Sequence, residues 1–273
     1  MIDAHHHLWH YDPAAYAWID DQMQVLQRDY LPADLDATLA PAGVTAAVAV
    51  QARQTIEETD WLLACRAQTP RIAGVVGWLP LVSPAIGDML AQYRPGLVGL
   101  RHILQGEPDP DYCLRADFDA GLARLEALGL VYDILIYPQH LPQATAMVDR
   151  HPHQRFVLDH MAKPRIRAGA FDQAWADDLR ALARREQVVC KLSGLVTEVR
   201  DPQWDPALLR PYLDTALEAF GPARLMFGSD WPVCLLRSSY DTWLATLQDY
   251  LSALSDSEQA QIFRHTAQAV YRI

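Results

Sequence analysis

Residues 2–8 read Ile-Asp-Ala-His-His-His-Leu, and residues 224–232, near the other end of the chain, read Arg-Leu-Met-Phe-Gly-Ser-Asp-Trp-Pro. Each stretch has the length of one β-strand. The second contains an apolar run of the kind expected for a parallel strand that is buried on both faces. Polar side chains follow near the end of each stretch, which predicts functional groups at the ends of two strands of one sheet.

Six further stretches of the same kind lie between these two, separated by segments with helical patterns. The eight predicted strands are Ile2–Leu8, Val44–Gln51, Ile72–Trp78, Leu97–Ile103, Val131–Tyr137, Arg155–His160, Val188–Leu192 and Arg224–Ser229. Their spacing of roughly thirty residues is the length of a strand–helix–strand unit. The sequence therefore predicts an α/β protein, a single-domain (β/α)8 TIM barrel over residues 1–273, and a doubly wound open sheet is the weaker alternative.

The helical segments carry start and stop signals. One helix is predicted to begin at Pro206, with Asp205 as its cap, and to end at Gly221. Another is expected to open at Ser238, and a terminal helix is expected near Asp256–Val270. This alternation of strand and helix, without a linker or a change of composition, favours one domain.

Composition excludes several classes of protein. The 273-residue chain contains 23 basic and 34 acidic residues, a net charge of −11 with histidine neutral. Such a chain lacks the global positive field that attracts nucleic acid or anionic lipid, and no apolar run is long enough to span a membrane. Its four cysteines lie far apart without a CxxC pair, which is typical of reduced thiols, and no signal peptide is visible. We therefore expect a cytoplasmic protein with a small-molecule partner, and the sequence leaves open whether it forms a homo-oligomer.

The strand ends supply the candidate catalytic residues, because TIM barrels carry their active sites where the strands end. Alternate side chains of a strand share a face, so His5 and His7 point the same way. The sixth predicted strand ends at His160, and Asp230 follows the eighth. Imidazoles and a carboxylate that meet in this way can bind one metal ion, and the carboxylate can take a proton from water. We predict all four as catalytic residues and candidate metal ligands, against the alternative that they are caps or ordinary polar residues.

Other strand ends supply candidates of lower specificity for substrate binding. They are Gln51, Arg53, Trp78, Arg101, His102 and Tyr137, with His140, Lys191 and Ser193 weaker still. A guanidinium or a phenol can bind or polarise a carbonyl or carboxylate group. The basic run Lys163, Arg165 and Arg167 is more typical of a solvated rim. The aromatic segment over residues 9–30 is expected either to cover the mouth or to form a satellite core.

Taken together, these motifs resemble those of the amidohydrolase superfamily, and in particular its lactonase branch. The residues that carry the resemblance are Asp3-x-His5-x-His7, Asp159-His160 with Lys163-Pro164, and Gly228-Ser229-Asp230-Trp231-Pro232. The resemblance implies a barrel hydrolase in which Asp230 is the general base for the attacking water. It also implies that His5, His7 and His160 surround a metal ion or the substrate carbonyl, and that Arg101 and Tyr137 contact the substrate.

The same resemblance bears on the cofactor. Many members of the superfamily bridge two metal ions with a carboxylated lysine or a glutamate from a middle strand, and no such residue is evident here. A single divalent ion, Zn²⁺, held by His5, His7 and Asp230 is chemically sensible. The sequence leaves open whether activity requires it.

Our hypothesis is hydrolysis of a sugar lactone, such as L-fucono- or L-galactono-lactone, to the aldonic acid in carbohydrate catabolism. One alternative is a lactonase for a pyrone dicarboxylate or muconolactone in aromatic catabolism, which would need cationic clamps such as Arg53, Arg101 and Arg165. A second alternative is a metal-dependent decarboxylase. A protein that binds sugar acids without turnover is the alternative from outside the enzymes.

Overall fold

The computed structural model describes residues 1–273 and contains one sheet of eight parallel strands, which follow each other in chain order. The strands are β1 Ile2–His6, β2 Ala46–Val50, β3 Ile72–Gly77, β4 Gly99–His102, β5 Val131–Ile134, β6 Phe156–Leu158, β7 Val188–Leu192 and β8 Leu225–Phe227. Seven of them are shorter than the sequence predicts, because residues at their predicted ends lie in the adjoining loops, and β7 has the predicted bounds.

The last strand meets the first just beyond β8. The backbone N–H of Asp230 donates to the His5 carbonyl at 2.8 Å, and the N–H of His7 donates to the Trp231 carbonyl at 2.7 Å. These bonds bring the eight strands into a nearly closed barrel. The predicted TIM barrel is therefore confirmed, and the open sheet is excluded.

Helices surround the barrel. They are α1 Pro32–Leu39, α2 Ile56–Gln68, α3 Ile86–Tyr93, α4 Ala116–Leu128, α5 Leu141–Arg150, α6 Gln173–Ala183, α7 Leu195–Glu198, α8 Pro206–Phe220, α9 Tyr240–Leu251, α10 Asp256–Ala260 and α11 Thr266–Tyr271, with a π-helical turn at Gln261–His265 between the last two. No helix is both long and apolar enough to cross a membrane.

Two helix predictions need correction. The helix expected to open at Ser238 begins at Tyr240, because the hydroxyl of Ser239 caps it by accepting the N–H of Thr242 at 3.1 Å. The terminal helix is interrupted by the π-helical turn. The predicted helix with Asp205 as cap is confirmed over Pro206–Phe220.

The barrel interior is apolar toward the N-terminal ends of the strands and charged toward their C-terminal ends. The inward-facing apolar residues are Ile2, Ala4, Val48, Val50, Val76, Val131, Val157, Val189 and Met226, and α11 packs against them with Ala267, Val270 and Tyr271. Because alternate residues of a strand share a face, Asp133, Asp159 and Lys191 take the next inward positions after Val131, Val157 and Val189. All three are fully buried. The four cysteines are also buried, and none forms a disulfide.

Candidate active site

Four side chains from three strand ends converge at the seam where β8 meets β1. Nε2 of His5 lies 3.2 Å from Nε2 of His7, and Oδ1 of Asp230 lies 3.4 Å from Nε2 of His7. The same oxygen is 3.8 Å from Nε2 of His5 and 3.8 Å from Nε2 of His160. The structure thus brings together all four residues that the sequence singled out.

The tautomer of His7 is set by the backbone of the neighbouring strand. Nδ1 of His7 lies 2.8 Å from the carbonyl oxygen of Val50, which can only accept a hydrogen bond. In the neutral imidazole, Nδ1 therefore carries the proton, and the lone pair of Nε2 faces His5 and Asp230. This arrangement leaves Nε2 free to bind a metal ion or to accept a proton.

His160 is placed by an unusual left-handed turn after β6. The residues His160–Lys163 all have positive φ, between 53° and 59°, although none is glycine. Left-handed backbone costs roughly 1–2 kcal/mol per such residue, so surrounding contacts must stabilise the turn. The indole of Trp175 donates to the Met161 carbonyl at 2.7 Å, and Oγ of Ser193 lies 2.8 Å from Nδ1 of His160.

Gly194 makes room for the His160 ring. Its φ is +68°, and a Cβ at this position would lie 2.7 Å from Nδ1 of His160. Only glycine fits there without displacing the imidazole.

A buried charge network lies under His5. Nζ of Lys191 lies 2.5 Å from Asp133, 2.9 Å from Asp159 and 3.1 Å from Nδ1 of His5. Arg101 donates to the other oxygen of Asp159 at 2.9 Å. Because the ammonium and guanidinium groups neutralise the two aspartates, the network holds His5 between fixed charges.

Burial and neighbouring charges set the protonation states at the site. Burial lowers the pKa of His160 to about 4 and holds the pKa of His5 well below its usual range, so both imidazoles are neutral at pH 7. Burial alone would raise the pKa of Asp230. The attraction of His160, the contact with His7 and the charge of Lys163 outweigh this effect and lower the pKa of Asp230, which stays ionised.

A cavity of about 390 Å³ opens above these residues. The predicted residues His7, Arg101, Tyr137, His160 and Asp230 line it, while His5 lies beneath them. Trp18 and Met23 from the aromatic segment also line the cavity, whereas Trp9 and Tyr30 are fully buried and pack against each other. The segment therefore contributes both a wall of the cavity and a satellite core.

Four of the predicted substrate-binding residues do not line this cavity. His102 follows Arg101 directly, so strand alternation turns it toward the helices, where it contacts Trp78 at 3.3 Å and Glu107 at 2.6 Å. Gln51 is buried beneath the cavity and accepts a hydrogen bond from Arg101 at 3.2 Å. The guanidinium of Arg53 packs over the ring of Tyr16, 5.2 Å from its centre. In these positions Gln51, Arg53, Trp78 and His102 contact other residues of the protein and do not face the cavity.

Sequence reasoning missed three charged residues of the cavity wall, Lys163, Glu198 and Arg200. Lys163 was assigned to a solvated rim, but the left-handed turn aims it into the cavity beside Tyr137, with Nζ 5.6 Å from the ring centre. Glu198 lies at the end of α7 and is only 7% exposed. A glutamate in a short helix after a strand carries no periodic signal that could have identified it.

The donor set at the seam fits a zinc ion. Tetrahedral ligands at zinc's usual bond lengths stand roughly 3.3 Å apart, and the donor atoms of His5, His7 and Asp230 are separated by 3.2, 3.4 and 3.8 Å. His160 joins His5 and Asp230 in a compact group of donor atoms. Two neutral imidazoles and a carboxylate are ligands that zinc prefers.

This TIM barrel brings a His-x-His pair, a third histidine and an aspartate from the loop after the last strand to one mouth. That arrangement defines a hydrolase of the amidohydrolase type. The chain belongs to the amidohydrolase family, whose model matches residues 2–273.

Known relatives extend this assignment. The chain is 42% identical to the L-fucono-1,5-lactonase of Burkholderia multivorans, over all of this chain and 96% of the relative. It is 36% identical to the L-fucono-1,5-lactonase of Burkholderia ambifaria, over all of this chain and 95% of the relative. A crystal structure of a B. multivorans amidohydrolase with bound zinc superposes with a TM-score of 0.96 at 42% identity, covering all of this chain and 99% of the other.

Proposed function

We propose that this protein is a lactonase that hydrolyses a sugar lactone, such as L-fucono-1,5-lactone or L-galactono-lactone, to the aldonic acid. The observation that carries the proposal is the Asp230 carboxylate among three histidines at the bottom of a cavity lined by charged and apolar residues. The full-length similarity to two L-fucono-1,5-lactonases supports the same reaction. An aldonolactone of six carbons is small enough for a cavity of about 390 Å³.

Asp230 is the general base in this proposal. All of its contacts with the histidines use Oδ1, which leaves Oδ2 to accept a proton from water. The resulting hydroxide attacks the lactone carbonyl carbon, and the carbonyl oxygen takes up the negative charge. When the tetrahedral centre collapses, the bond to the ring oxygen breaks, and the protonated Asp230 returns its proton to the departing alkoxide.

The remaining polar groups are oriented to stabilise that negative charge. Nη1 of Arg101 lies 3.4 Å from Nε2 of His5 and lines the same cavity as Asp230. A fixed guanidinium, which needs no reorganisation during the reaction, stabilises an oxyanion better than water does. His160 is held by Ser193 in one orientation and therefore needs no reorganisation during the reaction.

The cofactor supported by the donor set and by the zinc-bound relative is a divalent metal ion, Zn²⁺. His5, His7 and Asp230 would hold it, with His160 as the fourth candidate. When bound, zinc supplies Lewis acidity at the carbonyl.

The two alternative functions receive less support. Of the three arginines expected to clamp a dicarboxylate, Arg101 alone lines the catalytic cavity, since Arg53 packs on Tyr16 and Arg165 does not line it. This chain shares 22% identity with the structure of a 2-pyrone-4,6-dicarboxylic acid hydrolase from Pseudomonas putida. It shares 16% identity with the structure of a 5-carboxyvanillate decarboxylase from Sphingomonas paucimobilis. Similarity at this level supports a common fold alone. The proposed reaction would belong to carbohydrate catabolism, and the buried free thiols support a cytoplasmic location as part of the proposal.

Proton release from a panel of lactones tests the proposal. The panel contains L-fucono-1,5-lactone, L-galactono-lactone and 2-pyrone-4,6-dicarboxylate, with the spontaneous rate subtracted because sugar lactones also open unaided. We expect stereoselective opening of the sugar lactones. Activity on the dicarboxylate alone would assign the protein to aromatic catabolism, and silence on all three would reject the lactonase.

A further inference from the structure

Lys163 presents a cation to the catalytic cavity without a partner in the protein. Its side chain is partly buried, crosses the ring of Tyr137 and ends in the same cavity as Asp230. Its ammonium group forms no ion pair and donates no hydrogen bond to the protein. An ammonium so placed is expected to bind a group that enters the cavity.

Glu198 presents the opposite charge to the same cavity. One of its carboxylate oxygens accepts a hydrogen bond from Arg200 at 3.0 Å, and the other has no partner. The residue is 7% exposed, and burial raises the pKa of its carboxyl group while the attraction of Lys163 lowers it. Glu198 and Lys163 line the same cavity and do not form a direct ion pair with each other.

We propose that Lys163 and Glu198 form a hydroxyl-reading pair that determines which sugar lactone the enzyme accepts. An ammonium group only donates hydrogen bonds, and a carboxylate only accepts them. A hydroxyl does both, so one substrate hydroxyl can accept from Nζ of Lys163 and donate to Glu198 across the gap between them. The inference rests on the proposed lactonase function and specifies the chemistry of substrate recognition.

The pair is poorly matched to other ligands. A carboxylate or phosphate group can accept from Lys163 but has no hydrogen to donate to Glu198, and an ammonium group can donate to Glu198 but cannot accept from Lys163. An apolar group would satisfy neither Lys163 nor the free oxygen of Glu198. A neutral polyol that carries one hydroxyl at the right position satisfies both residues.

Single-hydroxyl deletions in the substrate test the proposal against matched variants. We would measure kcat/KM of wild type, Lys163→Met and Glu198→Gln on L-fucono-1,5-lactone and on its 2-deoxy, 3-deoxy and 4-deoxy analogues. Each variant should lose about 10- to 100-fold on the parent lactone, the size of a charge-assisted hydrogen bond. One analogue lacks the hydroxyl that both residues bind. On that analogue, the same for both variants, the loss of kcat/KM relative to the parent lactone should be larger for wild type than for either variant.

Arg165→Met, which removes an exposed arginine two residues from Lys163, is the control and should keep the wild-type ranking of the four lactones. Glu198→Gln keeps the shape of the side chain and carries the test if Lys163→Met does not fold. The inference alone would be overturned if a variant lost the same factor of kcat/KM on all four lactones. It would also be overturned if the two variants responded to the loss of different hydroxyls. A wild type that opens none of the lactones would overturn the proposed function and the inference together.

Discussion

Nε2 of His7 lies 3.4 Å from Oδ1 of Asp230, and this contact joins the first strand of the barrel to the loop after the last. It forms where the barrel closes, next to the backbone bond from the His7 N–H to the Trp231 carbonyl. The geometry of the catalytic pair is therefore fixed by the fold itself. A reacting carbonyl positioned over this seam meets a base and a histidine lone pair held in place by the closed sheet.

Replacing Asp230 with Asn should remove the general base and leave the fold intact, because the amide keeps the size of the carboxylate. We expect lactone hydrolysis to fall by about 10²- to 10⁴-fold. Proton release measures the activity, and thermal unfolding checks the fold. Asp241→Asn, which changes an exposed acid on α9, is the control. Retained activity in the Asp230 variant would remove this residue from the mechanism.

Zinc affinity should depend on His7. After treatment with a chelator, the protein titrated with Zn²⁺ should bind one ion per chain, and His7→Ala should weaken binding by at least about tenfold. Calorimetry measures the affinity without reference to activity. His10→Ala removes a histidine whose side chain is 63% exposed and serves as the control. Equal zinc affinity in the two variants would place the metal elsewhere.

The sequence predicted the barrel and the four residues at its seam for a physical reason. Parallel strands end at one mouth, so polar residues that follow apolar runs must converge there. Sequence could not predict the direction of Lys163, because it depends on a left-handed turn from His160 that contains no glycine. His102 does not line the cavity, and this direction was predictable, since it is adjacent to Arg101 and two neighbours on a strand cannot both face the barrel interior.

Loss of Lys191 should destabilise the protein strongly. Its Nζ lies between Asp133 and Asp159 at 2.5 and 2.9 Å, and all three residues are fully buried. Lys191→Met would leave two carboxylates without their shared cation, which typically costs about 3–5 kcal/mol. Urea unfolding measures the change. Arg210→Met, at a side chain that is 71% exposed, should change stability by less than about 0.5 kcal/mol. Similar small effects in both variants would show that the buried network is not required.

Glu58 should make stability depend on pH. Burial raises its pKa from 4.5 to about 7, although it accepts the N–H groups of Ala52 and Arg53 at 3.0 and 2.8 Å. The folded state binds this proton more tightly than the unfolded state, so its contribution is full below pH 4.5. As pH rises from 4.5 to 7 the contribution is lost, by up to about 3 kcal/mol.

Glu58→Gln can still accept the N–H groups of Ala52 and Arg53 without a titrating proton, so the stability of wild type relative to this variant should fall over that pH range. Urea unfolding at several pH values measures the difference, and Glu57→Gln, at the exposed neighbouring residue, is the control. A difference between wild type and Glu58→Gln that does not change from pH 4.5 to 7 would contradict the prediction.

Gly194→Ala should impair catalysis more than its backbone strain explains. Gly194 and Gly169 have nearly the same positive φ, +68° and +70°, so alanine costs a similar backbone strain at either position. A Cβ at Gly169 meets no atom within 4 Å, whereas a Cβ at Gly194 would lie 2.7 Å from Nδ1 of His160. The two variants should therefore lose similar stability from strain, while only Gly194→Ala displaces the imidazole from Ser193 and from Asp230.

We expect kcat to fall at least about tenfold in Gly194→Ala and to stay near the wild-type value in Gly169→Ala, because a displacement of 1 Å in an active site can cost that much or more. Steady-state kinetics and thermal unfolding of both variants measure the two effects separately, and equal kcat values would show that the position of His160 does not limit the reaction.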